Sequence, residues 1–426
     1  MRNHQRPHGL AGVILVLCAR LSFAEPLASD DPPPAPALTL ESAWQLTVRH
    51  HPELRAAAAQ REATAALERQ AAAVPNPELS AQIEDDRAAS RTTTLLWNQP
   101  VEWAGKRSAR IDAAQWALKQ ADTAVQARVA QVRAQLIMAF HGVSTAQERL
   151  RNADEMRRIA RQAHQTASKR VSAGEVPPIE AVKGQVAMSQ AESAYRAADS
   201  QHQVAWQWLR HAVGSDLGGV ERLQPDESGQ WPSPARWTNL DALVDRATLT
   251  QHAEQEVSRQ RALAEVERTR ARPDVVLQWG VKRDAGRHLP VIGVSLPLAL
   301  WDQNQGAIAA ALSHADQAEA ALASTRATVR AQASEARAQL GNAVEQARAL
   351  RDTVLPAARQ ALDIANRGYE LGKFGILDVL DAQRTLADIH QQLLMMSEQA
   401  VRADARLIEL FGDVALSSAP SHKDTP

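Results

Sequence analysis

Residues 271–298 read ARPDVVLQWGVKRDAGRHLPVIGVSLPL, and their pattern decides the fold. Leu277, Trp279 and Val281 alternate with Gln278, Gly280 and Lys282, and on the return Ile292, Val294 and Leu296 alternate with Gly293 and Ser295. Period-two alternation between prolines, across a polar turn at Asp284 to His288, predicts a two-stranded hairpin with one apolar face and strands of about 9 to 10 residues. A tilted strand of about 9 to 11 residues spans a bilayer. Residues 74–101, VPNPELSAQIEDDRAASRTTTLLWNQPV, have the same form, with a polar turn at Asp85 to Ser90. Four such strands cannot close a barrel, because membrane barrels start at about eight strands and an unpaired edge is forbidden in lipid. The chain must therefore oligomerise to close one. A soluble β-layer packed on helices is the alternative that the pattern alone leaves open.

The two hairpins belong to a duplication. Trp103, Gly174 and Gly214 recur 198 positions later as Trp301, Gly372 and Gly412. Around these anchors PVEWAGKRSARIDAA answers to PLALWDQNQGAIAAA, and AGEVPPIEAV to LGKFGILDVL. Each copy opens with a helix-forming segment, 39 to 74 and 239 to 271, rich in Ala, Glu, Gln and Arg. After each hairpin comes a long helical stretch, 104 to 172 and 303 to 371, on the order of 100 Å at about 1.5 Å per residue. Ile111, Ala114, Leu118, Ala121, Val125, Val129, Val132, Leu136, Ala139 and Val143 step by threes and fours, a coiled-coil seam. The last helix repeats the device from Leu386 to Leu410, and Pro356 should kink the second long helix or mark a junction in it. Tight tips at Gly174 and Gly372 turn each long helix into a returning one. They carry Val176, Pro177, Pro178, Ile179, Phe374, Gly375, Ile376 and Leu377, apolar groups that serve as a local staple or as a docking surface.

The expected organisation is a signal peptide at 1–24 and an extended segment at 25–38, then repeat 1 at 39–214 with its hairpin at 78–101. A linker or equatorial region at 215–237 leads to repeat 2 at 238–412, with its hairpin at 274–299, and to a disordered tail at 413–426. The signal rests on Arg2 and Arg6 before the apolar run Leu10 to Leu17, with Ser22, Phe23 and Ala24 at the cleavage site. Cys18 is the only cysteine and falls within it; Leu17 before it is too large for a lipid-attachment signal. No later run of about 18 apolar residues offers a membrane helix.

The net charge of −1 excludes a global electrostatic case for nucleic acid. The thirteen histidines are scattered and read as surface residues. No phosphate loop, nucleophile elbow or metalloprotease motif is present, so neither a cofactor nor an enzymatic activity is expected. Trp97, Trp279 and Trp301 lie in or beside the hairpins, where membrane-interface anchoring fits them, while Trp206 and Trp208 should pack against helices.

The segments LTLESAWQLTVRHHPELRAA, QPVEWAGKRSARIDAAQ, VSLPLALWDQNQGAIAAA and GYELGKFGILDVLDAQRTL, in that order on the duplication, make the chain resemble the TolC-like outer-membrane efflux factors, most closely the CzcC-type heavy-metal branch. The resemblance implies a mainly α fold with a small β part: a homotrimer whose long helical hairpins form an α-barrel across the periplasm below a 12-stranded β-barrel in outer-membrane lipid. It implies a periplasmic adaptor and an inner-membrane transporter of the resistance-nodulation-division type as partners. The implied role is passive export of divalent cations such as cobalt, zinc or cadmium. Drug or organic-solvent efflux and protein export remain rivals within the family, and a soluble periplasmic scaffold is the rival outside it.

Family members narrow the periplasmic mouth with acids matching Asp378 and Asp381, and Tyr369 matches a tyrosine that ties the closed mouth. Threefold symmetry would stack the acids into two rings of carboxylates that concentrate cations. The family's partner arginine is replaced by Phe374, so apolar packing should hold the aperture. At the 198-residue offset Asp378 answers to Glu180, Asp381 to Lys183 and Phe374 to Val176, which assigns the gate to the second copy alone.

Overall fold

The computed structural model describes residues 37–85, 87, 91–217, 219–220, 222–224, 231–284 and 286–412. The expected signal peptide, Cys18 and the tail lie outside them. The first copy runs α1 (Leu40–His50), α2 (Pro52–Ala71), β1 (Glu78–Glu84), β2 (Thr92–Val101), α3 (Lys106–Ser172) and α4 (Ile179–Val213). The second runs α5 (Leu240–Arg246), α6 (Thr248–Arg270), β3 (Val275–Asp284), β4 (Arg287–Ser295), α7 (Gln305–Ala349), α8 (Leu355–Glu370) and α9 (Ile376–Phe411). Among the described residues no helix is long and apolar enough to cross a membrane.

The opening segment of each copy, read as one helix, is two. His51 and Ala247 both adopt extended ψ, of 124° and 138°. At the first break Pro52 supplies no N–H and takes the N1 position of α2, where none is needed. The turn of the second hairpin is also shorter than expected, because Arg287 and His288 already pair with Asp284 and Arg283.

The four strands form one antiparallel sheet in the order β1-β2-β3-β4, so the two hairpins join through β2 and β3. Rows of facing residues cross it: Leu79, Trp97, Trp279 and Ile292 stand in one row, and Ala81, Leu95, Val281 and Pro290 in the next. Period two places these rows on one face, which is apolar and exposed, Ile292 at 88%. Ser80, Gln82, Thr94, Asn98, Gln278 and Lys282 occupy the opposite face. Gly280 is required where it stands, since a Cβ there would lie 1.9 Å from the Leu95 carbonyl oxygen.

Below the sheet α3 runs unbroken for 67 residues, against α2 and α6 near the strands and α4 and α9 further down. Its expected seam is buried only in the second half, at Val132, Leu136 and Val143; nearer the strands Ala109, Ala113 and Thr123 are the buried positions. Several neighbours, not one coiled-coil partner, cover it. The α9 seam is buried at Leu386, Ile389, Ala400, Ala403, Leu407 and Leu410. The α3 counterpart in copy two is interrupted by five π-helical residues, Leu350–Val354, immediately before Pro356. A proline inside a helix removes one i→i−4 bond and crowds the preceding turn, and a π-turn absorbs both.

The inter-repeat segment is part of the core. Leu38 forms a parallel bridge with Leu223, and Trp237 is fully buried against Val244, Leu407 and Phe411. Trp231 donates its indole N–H to Ser397 Oγ at 2.9 Å and lies under Arg351 of the π-turn. Trp206 packs in the first-copy core, whereas Trp208, expected to do likewise, is 63% exposed. His51 and His390 are buried, contrary to the reading of the histidines as surface residues.

Trp237 donates to Asp404 Oδ1 at 2.7 Å, and Asp404 is only 6% exposed. Burial raises the Asp404 carboxyl above its ordinary value, against the opposing effects of Trp237 and Arg236. The folded state therefore holds this proton more tightly than the unfolded chain does. Its contribution to stability is full below the unfolded value of about 3.9 and is lost as pH rises through the folded pKa. Asp404→Asn keeps an acceptor for Trp237 and should flatten that fall; melting temperatures from pH 4 to 8 for both proteins test it, and an unchanged slope contradicts it.

Candidate functional site at the helical tips

The far ends of the two helical hairpins are built alike. Gly174 and Gly372 take φ values of 75° and 70°, a left-handed conformation that costs a glycine nothing. Each ends its helix with paired reverse bonds: Glu175 N–H to Arg170 O and Gly174 N–H to Val171 O in the first, Lys373 N–H to Gly368 O and Gly372 N–H to Tyr369 O in the second. The two sets are related by the 198-residue offset.

The side chains are not alike. In the second tip Asp378 turns back to accept the Gly375 N–H at 2.9 Å, capping α9. Its first-copy counterpart Glu180 instead accepts from the Tyr369 hydroxyl at 3.1 Å. Tyr369 is 2% exposed. Burial raises its phenol pKa, and the Glu180 carboxylate raises it further. Arg170, at the end of α3, donates to the Tyr369 carbonyl at 2.9 Å, lies 4.9 Å over its ring and pairs with Glu175 at 3.2 Å. The two copies therefore meet at Tyr369. Tyr369, on the second copy, is held by Arg170 and Glu180 of the first.

Phe374 lies on Gly368, where a Cβ would overlap its ring at 2.0 Å. Ile376, expected at an exposed extremity, is buried with Ala163, Ala167, Ala365, Tyr369, Val379 and Leu380, so it staples the two hairpins together. Pro177, Pro178, Ile179 and Leu377 are exposed, as are Gly174, Gly372, Gly375 and Phe374, while Val176 is half-buried. Asp378 and Asp381 are both exposed, three residues apart on α9. Beyond the tips a groove of about 820 Å³ runs between α3, α4 and α9, with Gln383 and His390 buried in its lining. Their Nε2 atoms have no hydrogen-bond partner among the described residues. Burial, and then Arg359, lowers the His390 pKa. Among the described residues no group of three or more His, Cys, Asp or Glu is placed to hold a metal ion.

Trp97 and Trp279 stack at 6.1 Å on the apolar face of the sheet, about midway along their strands. Trp301, at the helical end of the sheet, is 86% exposed.

The Tyr369 contacts predict a graded response. A hydrogen bond to a charged group contributes about 1.5–3 kcal/mol when buried, so Tyr369→Phe should speed amide exchange about tenfold around 165–180 and 365–380. Arg170→Ala, which also removes the carbonyl bond and the stacking, should exceed it. The sheet should be unaffected in both; equal exchange at the tips in all three proteins would refute the tie.

The model of the outer membrane efflux protein family matches residues 44–215 and 240–413. The cobalt-zinc-cadmium resistance protein CzcC of Cupriavidus metallidurans is 36% identical over 377 residues, covering 88% of this chain and 90% of that protein. The nickel-cobalt-cadmium resistance protein NccC of Alcaligenes xylosoxydans xylosoxydans is 28% identical over 338 residues, 76% of this chain and 72% of that one. The solved structure of CusC superposes with a TM-score of 0.75 over 88% of this chain and 91% of its own, at 17% identity. The outer membrane protein VceC of Vibrio cholerae gives 0.73 over 88% and 96%, at 18% identity. Two matched spans that together cover most of the chain, and a relative of more than a third identity over nearly its whole length, place the chain in the outer membrane efflux protein family.

Proposed function

We propose that this outer-membrane channel of a tripartite efflux pump exports divalent heavy-metal cations. The observation that carries the substrate is the 36% identity to a cobalt-zinc-cadmium resistance protein across almost all of both chains. The channel is a passive conduit, driven by an inner-membrane transporter of the resistance-nodulation-division type and reached through a periplasmic adaptor that docks at the exposed tip residues. Three copies close the four-stranded sheets into a 12-stranded barrel and their long helices into a tunnel across the periplasm. The apolar sheet face then meets lipid and the polar face lines the lumen.

The exposed carboxylates of Asp378 and Asp381 are the selectivity element of the mouth, and Tyr369 with Phe374 holds it narrow. A ring of carboxylates raises local cation concentration and disfavours anions. Single-channel recordings in a planar bilayer should therefore give weaker cation selectivity for Asp378→Asn and Asp381→Asn than for the wild type. Asp381→Asn is the cleaner variant, because Asp378 also caps its helix. Unchanged selectivity in both overturns the mouth assignment. Deleting the gene should reduce zinc, cobalt or cadmium tolerance; intact tolerance with a new sensitivity to organic compounds would reassign the substrate.

A further inference from the structure

We propose that Arg283 and His288 form a binding site for the phosphate of an anionic outer-leaflet lipid, on the lipid-facing side of the outer rim of the sheet. The inference rests on the apolar face being the one that meets lipid.

The register places these two residues. Arg283 faces His288 directly across β3 and β4, and the same row continues through Thr93 to Ile83. Counting by twos, this row shares its face with Leu95, Trp97, Trp279, Val281 and Ile292. It is therefore the last row of the apolar face before the turns, and it ends that face with an arginine and a histidine. Both side chains are exposed, and neither has an ion-pair or hydrogen-bond partner among the described residues. The strand carboxylates at this height, Glu84 and Asp284, alternate to the opposite face, where Asp284 accepts from the Thr92 hydroxyl at 3.2 Å. On that face Arg287 opposes Asp284, so the acids at this height stand beside a base, while Arg283 and His288 stand on the lipid side without an acid in their row.

The helices leave the sheet at the opposite end, at Val101, Val275 and Ser295, so this rim is the extracellular one. From Val275 to Arg283 the strand climbs about 27 Å at ~3.4 Å per residue. At a tilt of about 45° that is roughly 19 Å of an apolar band about 25 Å tall. The Arg283 backbone thus lies about 6 Å short of the boundary where acyl chains give way to headgroups, a distance its long side chain spans by snorkelling. A guanidinium facing hydrocarbon there needs an anionic partner, and none of the described residues is paired with it. Directly opposed residues on paired strands lie about 5 Å apart at Cβ, so a guanidinium fork and an imidazole can donate to oxygens of one phosphate. A headgroup phosphate arrives already tethered at that height by its own acyl chains.

The test uses the purified oligomer in detergent with three probes: bis-phosphorylated hexa-acyl lipid A, its dephosphorylated form, and inorganic phosphate. Dissociation constants are read by native mass spectrometry. The phosphorylated lipid should bind most tightly. Arg283→Gln should weaken it about tenfold or more and His288→Gln less, while Arg283→Lys keeps most of the affinity. Binding of the phosphorylated lipid by the double Gln variant within about twofold of wild type overturns the site, as does equal binding of the dephosphorylated lipid. Inorganic phosphate that competes at equal concentration makes it a free-anion site and overturns the lipid assignment. Assembly of each variant is checked by the oligomer mass in the same spectra. A parallel measurement isolates the underlying reading: brominated-chain lipid should quench fluorescence that is lost in the Trp97→Phe, Trp279→Phe double variant. Quenching without headgroup selectivity sinks the site and leaves the lipid face standing; no quenching at these two residues sinks both.

Discussion

Backbone polar groups that no water can reach must be paired, and in lipid this requirement admits only helices and closed sheets. β2 and β3 are paired on both sides within the chain, while β1 and β4 each have one neighbour there. Every other feature of the architecture follows from those two edges. Copies of the chain have to supply the missing partners, and once the sheets close the long helices below are drawn into a tube. The alanine-rich faces of α3 and α7 suit this arrangement, because small side chains let long helices run close together without bulky knobs.

Duplication explains both the economy of the fold and its asymmetry. The backbone solutions recur: left-handed glycines at both tips, reverse bonds in the same pattern and broken helices before both hairpins. The side chains have separated. Glu180 reaches across to Tyr369 while Asp378 folds back onto its own helix. The π-turn at Leu350–Val354 has no counterpart in α3. Divergence at positions that leave the backbone untouched lets one copy brace the other, and the Tyr369 tie is made that way.

Much of this was legible in the chain itself. Two periods, two for the hairpins and about 3.6 for the helices, separate the sheet from the tube. The 198-residue offset identifies the tips and the turn glycines, and proline spacing bounds the strands. The break at His51 carried a local signal in Pro52, whereas at Ala247 neither glycine nor proline marks the break. The burial of Trp237 was hidden, since GSDLGG and WPSPARW carry loop composition and a buried tryptophan in a loop has no periodic signature.

The amino-acid order by itself determined which residues share a face, because alternation along a strand and three-to-four spacing along a helix are local geometry. It determined that Arg283 and His288 are basic and that Asp378 and Asp381 lie three apart. Only the tertiary structure decided which residues meet. That Trp97 stacks on Trp279 and that Arg283 opposes His288 depend on strand register. That Arg170 and Glu180 hold Tyr369, some 190 residues away, depends on how the two hairpins lie side by side. Register and helix packing are set by the summed burial of many side chains far apart in sequence, and no local pattern encodes that sum.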